Sequence, residues 1–214
     1  MVQDSYKTNF IQKQLENISK TLAKNNFETY VFDTSLSATE FIQDYIGENK
    51  TIGIGGSQTI VELGLIEKLQ KSKNTIFMHT KNMSLDERMI VWQKAQYADF
   101  YFASPQAITL DGKLIFLDAY GNRVSSVIFG PKKVILIAGY NKIVNNLETA
   151  FWRIRNIAAV TNNLRLSRKN PCVVTGKCED CNSQERICNV LTVLYKKPPL
   201  TDYLVILIRE DLGF

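Results

Sequence analysis

Histidine is almost absent from this sequence: His79 is the one histidine among 214 residues. A catalytic or metal site built from several histidines is therefore excluded, which leaves only arrangements with one imidazole, such as a Ser–His or Cys–His pair. A single histidine at the end of an apolar strand is more often a structural residue than a base. We assign His79 no role.

Long apolar runs and a strong charge bias are also missing. No window reaches the 18 or more apolar residues of a membrane helix, and the N-terminal MVQDSYKTNFIQKQ is too polar for a secretion signal. The net charge is +5, and lysine and arginine are spread along the chain rather than concentrated in one segment. We therefore expect a cytoplasmic protein with no membrane span and no nucleic-acid partner, whose ligands are small anionic metabolites.

Cysteine is scarce but concentrated, because all four cysteines lie within PCVVTGKCEDCNSQERIC, residues 171–188. In a reducing cytoplasm, clustered thiols are more often metal ligands or redox groups than structural disulfides. Cys172, Cys178, Cys181 and Cys188 have the spacing C-x5-C-x2-C-x6-C. Four thiolates can complete a tetrahedral zinc site or hold an iron–sulfur cluster, and the spacing does not decide between them. The alternative is a set of free thiols, or a dithiol pair at Cys178 and Cys181.

The order of the predicted elements favours an α/β fold. A helix within residues 1–26 precedes short apolar strands that alternate with helices, a pattern typical of a parallel sheet covered on both faces. The apolar run KKVILIAG has the character of a buried strand. Pairs at Ser37/Glu40 and Ser84/Glu87 predict capping boxes at two helix starts. We interpret residues 1–214 as one domain with a cysteine-bearing excursion at residues 171–188.

The middle of the chain predicts antiparallel structure inside this frame. The segment AITLDGKLIFLDAYGNRVSSVIFG contains a turn at Asp111-Gly112 and a second turn at Gly121-Asn122. We therefore expect an antiparallel meander over residues 111–129 that adds strands to the parallel sheet.

The turn in IGIGGS is the first candidate ligand site. It follows a predicted strand and precedes the predicted helix QTIVELGLIEKL, so Gly55, Gly56 and Ser57 can offer backbone N–H groups to a phosphate or carboxylate. Glycine pairs also occur where the backbone must simply turn sharply, and the segment is neither a dinucleotide G-x-G-x-x-G motif nor a P-loop. Both interpretations are open on these residues alone.

Polar side chains around the later turns form the second candidate site. Arg123 is suited to clamp a carboxylate through two hydrogen bonds. Asp111 equally suits a tight turn on structural grounds. Asn141 follows the buried strand, where α/β sheets build their ligand crevice, although it also suits a helix N-cap. The candidate side chains are Thr109, Asp111, Asn122, Arg123 and Asn141.

The two candidates together predict one pocket. A helix terminus supplies only partial charge, so a fully charged anion needs a second wall with side-chain donors. We expect Arg123, Asn122 and Asn141 to supply that wall opposite the glycine turn. We also expect Arg123→Leu to weaken anion binding without unfolding the protein, because an exposed turn residue contributes little to the core.

Several segments together resemble the LUD domain family of lactate-utilisation proteins. They are the glycine turn with its helix, ASPQAITLDGKLIFLDAYGNRVSSVIFGPKKVILIAGYNKIV, RIRNIAA, the cysteine segment and the terminal EDLGF. The resemblance implies a Rossmann-like three-layer α/β/α sandwich similar to ribose-phosphate isomerase, glucosamine-phosphate deaminase and the CoA transferases. It also favours anion binding at the glycine turn and implies a link to lactate oxidation beside iron–sulfur subunits. The cysteine segment is similar to that of a stand-alone branch of the family.

The leading hypothesis is a cytoplasmic LUD-family protein that binds a small carboxylate, phosphate or CoA ester. A thiol-ligated metal or iron–sulfur centre would then serve the oxidation of lactate or a related 2-hydroxy acid, with iron–sulfur or other redox subunits as partners. One alternative is a non-redox isomerase or CoA-ester-handling enzyme that moves a proton with a carboxylate. Another is a non-catalytic assembly subunit of a redox complex.

Overall fold

Ten strands form two sheets in the computed structural model, which describes residues 2–214. A six-stranded sheet has the order β1-β10-β7-β4-β2-β3, and every neighbouring pair in it is parallel. A four-stranded sheet has the order β8-β5-β6-β9. The strands are β1 (Glu28–Phe32), β2 (Thr51–Ile54), β3 (Thr75–Phe77), β4 (Phe100–Ala103), β5 (Ala107–Thr109), β6 (Leu114–Asp118), β7 (Lys133–Gly139), β8 (Ile143–Val144), β9 (Val190–Leu194) and β10 (Asp202–Ile208).

Helices connect these strands and cover both faces of the six-stranded sheet. They are α1 (Val2–Lys24), α2 (Ser35–Ile46), α3 (Gln58–Glu62), α4 (Leu65–Lys71), α5 (Leu85–Gln96), α6 (Asn122–Ile128), α7 (Leu147–Arg153), α8 (Ala159–Arg165) and α9 (Pro171–Thr175). A 3-10 turn spans Tyr140–Lys142, and a π-helical segment spans Ile154–Ala158. In the part of the chain described here, no helix is long and apolar enough to cross a bilayer.

Two hydrophobic clusters lie on opposite faces of the six-stranded sheet. Alternate residues of a strand point to opposite faces, and in β7 the side chains of Val134 and Leu136 join the cluster under α1, α5 and α6. Ile135 and Ile137 of the same strand join the cluster under α2, α3 and α4. The predicted three-layer α/β/α sandwich is therefore confirmed, with the apolar run of β7 buried on both sides.

The four-stranded sheet corrects the expected meander. The Asp111-Gly112 turn does join an antiparallel hairpin, β5 to β6. The Gly121-Asn122 turn does not join two strands, because Gly121 adopts a left-handed conformation (φ 80°) as the N-cap of α6. The meander predicted over residues 111–129 was therefore wrong in its second half, because residues 122–128 form α6, in which Val124 and Val127 lie three positions apart and bury one face of the helix. The sheet is completed by β9 and β8, which come from distant parts of the chain.

One of the two predicted capping boxes is present. At α5, the Ser84 hydroxyl accepts a hydrogen bond from the backbone N–H of Glu87, and the Glu87 carboxylate accepts one from the backbone N–H of Ser84. The prediction at Ser37 was wrong, because α2 begins at Ser35 and its N-cap is Thr34. The Thr34 hydroxyl accepts from the Ser37 N–H at 3.2 Å.

Residues 147–165 form an unbroken helical stretch of α7, the π-helical segment and α8, which we call the wall helix. Its N-cap is Asn146, whose side-chain oxygen accepts from the Thr149 N–H at 2.9 Å. Asn141 therefore does not cap it. Ala150 and Ile154 pack on Ala107 and Ile115 and hold the wall helix against the four-stranded sheet.

Candidate functional site

A cavity lies at the carboxyl ends of three neighbouring parallel strands. Gly56 and Ser57 follow β2, Ser104 follows β4 and Lys142 follows β7, and all four residues line the cavity. These strands are adjacent in the sheet. Loops after adjacent parallel strands meet outside the same edge of an α/β sheet, which is where such folds bind ligands. The connectivity of the fold therefore brings residues far apart in sequence to one place.

The lining of this cavity is polar and cationic. The empty space between its lining residues is about 510 Å³, a figure that includes open solvent at its mouth. No aspartate or glutamate is among the described residues that line it. Its cations are Arg123, Lys142 and Arg165, its uncharged polar side chains are Ser57, Gln58, Thr59, Ser104, Gln106 and Asn162, and its apolar side chains are Leu117, Ile154, Ala158, Ala159, Ile187 and Phe214.

The glycine turn packs directly against Arg123. A Cβ atom at Gly55 would lie 2.5 Å from the Tyr101 hydroxyl and 2.9 Å from Cγ of Arg123, so only glycine allows this approach. Gly56 has a φ of 78°, in the left-handed region that favours glycine. Glycine is therefore required at position 55 by the lack of space for a side chain, and it is favoured at position 56 by the backbone conformation.

The helix after the turn is shorter than predicted. Instead of one helix through QTIVELGLIEKL, α3 has five residues and is separated from α4 by Gly64, which has a φ of 59°. Ser57 is the N-cap residue, but its side chain makes no capping hydrogen bond. A five-residue helix contributes little macrodipole, so an anion in this cavity depends on the side-chain cations more than we expected.

Arg123 lies at the start of α6 and is held by Asp118 at the end of β6. One guanidinium nitrogen, Nη2, donates to the Asp118 carboxylate and also to the backbone oxygen of Leu117 at 2.8 Å. The same carboxylate accepts from the backbone N–H groups of Arg123 and Val124 at 3.0 and 2.9 Å. The Nε atom of Arg123 is buried without a hydrogen-bond partner among the described residues. Arg123 is therefore fixed in place with one donor left unused.

Lys142 is the cavity residue that the sequence analysis missed. It is 2% exposed, and its ammonium group donates to the hydroxyls of Thr59 and Ser104, both at 2.7 Å. Burial, together with the charges of Arg153 and Arg123, lowers the pKa of Lys142 to about 7. Lys142 ends the 3-10 turn that follows β7, and nothing in the sequence marks a lysine at such a position as buried.

The remaining predicted side chains, Thr109, Asp111, Asn122 and Asn141, do not line this cavity. Thr109 donates its hydroxyl hydrogen to the Asp111 carboxylate, and Asp111 also pairs with Lys113 within the hairpin turn. Asn122 faces a surface groove beside Trp92 and Tyr120.

Asn141 holds the C-terminal segment in place. Its Nδ2 donates to the Gly213 carbonyl at 3.3 Å, and its Oδ1 accepts from the Leu212 N–H at 3.4 Å. The pocket predicted from both candidate sites thus contains the glycine turn and Arg123 without the two asparagines.

The four cysteines line a second cavity. Cys172 lies in α9, and Cys178, Cys181 and Cys188 follow it in the excursion. All four are free thiols. Among the described residues, no three cysteine, histidine, aspartate or glutamate side chains are arranged closely enough to hold a metal ion. The four thiols therefore line one cavity but are too far apart to coordinate a metal ion in this arrangement.

Basic and amide side chains surround the thiols. Burial raises the pKa values of the Cys172 and Cys188 thiols. Arg155 interacts with Cys178 through a hydrogen bond that raises the pKa of the arginine. Arg186 donates to the backbone oxygens of Cys181 and Cys188. Both guanidinium groups also pair with the Asp180 carboxylate, Arg155 at 2.7 Å and Arg186 at 2.9 Å, so their charge is already partly compensated.

The wall helix separates the two cavities. Ala159 lines both of them. Ile154 and Ala158 face the cationic cavity, whereas Arg155 and Asn163 face the thiols. The Asn156 side chain accepts a hydrogen bond from the Cys178 N–H at 3.0 Å, which attaches the excursion to the same helix. One helix thickness thus lies between the thiols and the cation-lined cavity.

His79 lies beside the glycine turn. Its Cε1 atom would be 3.1 Å from a Cβ at Gly56, and its Nδ1 accepts a hydrogen bond from Trp92 Nε1 at 3.1 Å. Burial and the charges of Arg88 and Arg165 lower the pKa of His79. Its hydrogen bond to Trp92 and its contact with the turn are consistent with a structural residue.

Comparisons with known proteins identify relatives in sequence and in structure. The profile described as "LUD domain" matches residues 15–208. A crystal structure described as a DUF162 family protein from Deinococcus radiodurans superposes with a TM-score of 0.54 at 12% identity, over 92% of this chain and 98% of that chain. At this identity the likeness shows the fold alone. No curated protein sequence matches the chain.

Proposed function

Because this chain belongs to the LUD domain family, we propose that it binds a small carboxylate metabolite in the cation-lined cavity. The proposed ligand is lactate or a related 2-hydroxy acid, or the 2-oxo acid formed by its oxidation. The protein would support that oxidation together with a metal or iron–sulfur centre on Cys172, Cys178, Cys181 and Cys188. Iron–sulfur or other redox subunits are the proposed partners.

The excess of positive charge in the cavity carries this proposal. Three cations line it, and among the described residues only Arg123 has an ion-pair partner, Asp118. Lys142 and Arg165 have no carboxylate within ion-pair distance in the described part of the chain. Lys142 is buried without a counter-ion, whereas Arg165 is exposed, so a bound anion would favour the charged form of Lys142 in particular. The missing carboxylate in the lining also favours binding over an isomerase that moves protons with a carboxylate.

The unused donor on Arg123 supports a ligand that offers a hydrogen-bond acceptor, as a carboxylate oxygen does. A guanidinium group donates through Nε and Nη in a fixed fork that matches the two oxygens of a carboxylate. Here Nη2 is taken by Asp118 and Leu117, while Nε has no partner. A ligand that accepts from Nε would remove this defect.

The donor set of the thiol cavity suits a soft metal. Four thiols share one cavity, and two arginines lie at its edge. Zinc would make the excursion a closed structural site, whereas an iron–sulfur cluster would supply a one-electron acceptor beside the bound metabolite. Cys172, Cys178, Cys181 and Cys188 would be the ligands, and Arg155 and Arg186, which share the Asp180 carboxylate, would lie beside them.

Removal of the Arg123 charge tests the proposed anion site. Arg123→Gln should weaken the calorimetric affinity for lactate and pyruvate by about tenfold or more, since hydrogen bonds to charged groups contribute about 1.5–3 kcal/mol. The same change leaves the Asp118 carboxylate buried without its partner and should cost about 3 kcal/mol of stability. The earlier expectation that Arg123 can be replaced without a stability cost assumed an exposed residue, whereas its side chain is 11% exposed.

Asp118→Asn provides the matched control. In the double variant Asp118→Asn/Arg123→Gln, the stability lost in Arg123→Gln should return, because no buried charge is left unpaired, while the affinity stays low. Wild-type affinity in the double variant would rule out Arg123 as a ligand for the anion. Phosphate, titrated in parallel, distinguishes a general anion site from one that selects carboxylates.

A further inference from the structure

The amino group of Lys142 is buried at the base of the cation-lined cavity. Its two hydrogen bonds, to the hydroxyls of Thr59 and Ser104, both go to uncharged groups. Among the described residues it makes no ion pair, in contrast to Lys133, whose ammonium lies 2.7 Å from the Glu28 carboxylate. A buried lysine without a counter-ion loses its preference for the charged form.

The surrounding charges act in the same direction as burial. Arg153 and Arg123 lower the proton affinity of Lys142, and the Glu62 carboxylate opposes them only in part. Arg153 is itself fixed by hydrogen bonds to the backbone oxygens of Asn141 and Gln106, at 3.1 and 2.6 Å. A large share of Lys142 is therefore neutral near neutral pH and carries the free electron pair that a nucleophile needs.

We propose that Lys142 forms an imine with the ketone carbon of a 2-oxo acid bound in this cavity. The inference rests on the proposed anion site, because the cations there would hold the carboxylate that neighbours the ketone. Arg123 and Lys142 line the same cavity, and the charge of Arg123 acts on Lys142. The carbonyl carbon of a 2-oxo acid is bonded directly to its carboxylate carbon, so the imine requires that a carboxylate held by Arg123 present this carbonyl to Lys142.

The bond changes balance without any cofactor. The Lys142 nitrogen attacks the ketone carbon and the carbonyl oxygen takes a proton, which gives a carbinolamine. Loss of that hydroxyl as water, with the remaining nitrogen proton released, leaves a C=N double bond. The hydroxyls of Thr59 and Ser104, both in contact with the nitrogen, are placed to carry these protons. The sum is amine plus ketone giving imine plus water, with no change of oxidation state.

Reductive trapping tests the proposal directly. Full-length protein is incubated with pyruvate and sodium cyanoborohydride, and its intact mass and peptide map are recorded. We expect one adduct, equal to the mass of pyruvate less one oxygen atom, on Lys142. Lys133 is the internal control, because it is also largely buried but is paired with a carboxylate. Acetone, which has the ketone without the carboxylate, should give at least about tenfold less of this adduct, because it lacks the hydrogen bonds to the cations.

Two different substitutions of Lys142 ensure that the test does not depend on one variant that fails to fold. Lys142→Arg keeps the charge and Lys142→Met keeps the length and the apolar stem, and both should lose the adduct. Modification of surface lysines alone, or equal labelling by acetone and pyruvate, would overturn the imine.

Lactate binding separates this inference from the proposed function. If calorimetry shows that lactate and pyruvate bind but no adduct forms on Lys142, the anion site stands and the imine fails. If the adduct forms equally in Arg123→Gln, the imine stands and the proposed role of Arg123 fails.

Discussion

Lys142 and Lys133 are both withdrawn from water, yet their neighbours change their pKa values in opposite directions. For Lys142, burial and two arginines lower the pKa to about 7. For Lys133, burial also lowers the pKa, but hydrogen bonds from its ammonium to Glu28 and Tyr45 outweigh it, and the net shift is upward. The two residues therefore couple folding to pH with opposite signs.

Lys142→Met should raise the melting temperature of the protein at pH 6 and give a smaller gain at pH 9. The unfolded lysine keeps its usual pKa near 10.4, so between about pH 7 and pH 10 the unfolded state binds more protons than the folded state. Stability from this group then rises with pH, and below pH 7 the full cost of a buried charge is present. Thermal melts of wild type and variant across this range measure the difference.

Lys133→Met is the matched control for that series. Because its folded pKa is raised, Lys133 stabilises the protein below the unfolded pKa, and the variant should be less stable than wild type at both pH values. A Lys142→Met gain that does not depend on pH would show that packing, rather than charge, determines it.

Gly55→Ala should disturb the cavity through Arg123. The new methyl group would overlap the Tyr101 hydroxyl and the Arg123 side chain, and overpacking of this kind costs about 1–3 kcal/mol. We expect a lower denaturation midpoint and weaker pyruvate binding by calorimetry. Tyr101→Phe removes the closer of the two contacts, so the double variant should recover part of the stability. No recovery would point to the Arg123 contact as the sole cause.

At the level of residues, the glycine turn and Arg123 were predictable because each carries a recognisable constraint. Glycines between a strand and a helix, and a guanidinium near a turn, mark a site by their chemistry. Lys142 carries no such mark: a lysine after an apolar strand is usually solvated, and only the tertiary structure shows that Thr59 and Ser104 enclose it. Thr109 and Asp111 were overvalued, since they bond to each other in a tight turn.

At the level of elements, local signals identified most strands and helices, but residues 122–128 were misassigned. The segment NRVSSVI is rich in β-branched residues, which favour strands. Packing of Val124 and Val127 against the main sheet overrides that preference. The capping signal at Ser37 was displaced by three residues, because Thr34 offers an equivalent hydroxyl earlier in the chain.

The excursion over residues 171–188 should depend on a metal for its order. Apart from the short α9 it has no helix or strand, and it is attached through side chains such as Asn170, which donates to the backbone oxygen of Glu185 at 3.0 Å. Protein purified without oxygen should contain zinc or iron, and Cys181→Ser should lose it. Elemental analysis and the visible absorption spectrum measure this. Ser183→Ala, in the same excursion but outside the cavity lining, is the control.

Removal of that metal should leave the sheets intact. After chelation, limited proteolysis should cut within the excursion while circular dichroism in the far ultraviolet changes little. Equal metal content in wild type and Cys181→Ser would contradict thiolate ligation. General proteolysis after chelation would show that the metal supports the whole fold instead.

At the scale of the whole molecule, the three layers followed from the sequence and the strand order did not. Alternating strands and helices require a parallel sheet with two covered faces, and the alternation in β7 fills both cores. The position of β10 between β1 and β7 depends on how the last crossover packs. The four-stranded sheet contains strands from distant segments of the chain, and no local sequence pattern predicts such pairings.

If both cavities bind the proposed ligands, the wall helix would couple the two binding affinities. Its residues form part of both linings, so a ligand in either cavity would contact a helix that also borders the other. If a metal on the thiols changes the affinity for the anion by some factor, the anion must change the affinity for the metal by the same factor. The metal affinity of the protein would then differ between its metabolite-free and metabolite-bound forms, although the two ligands do not touch each other.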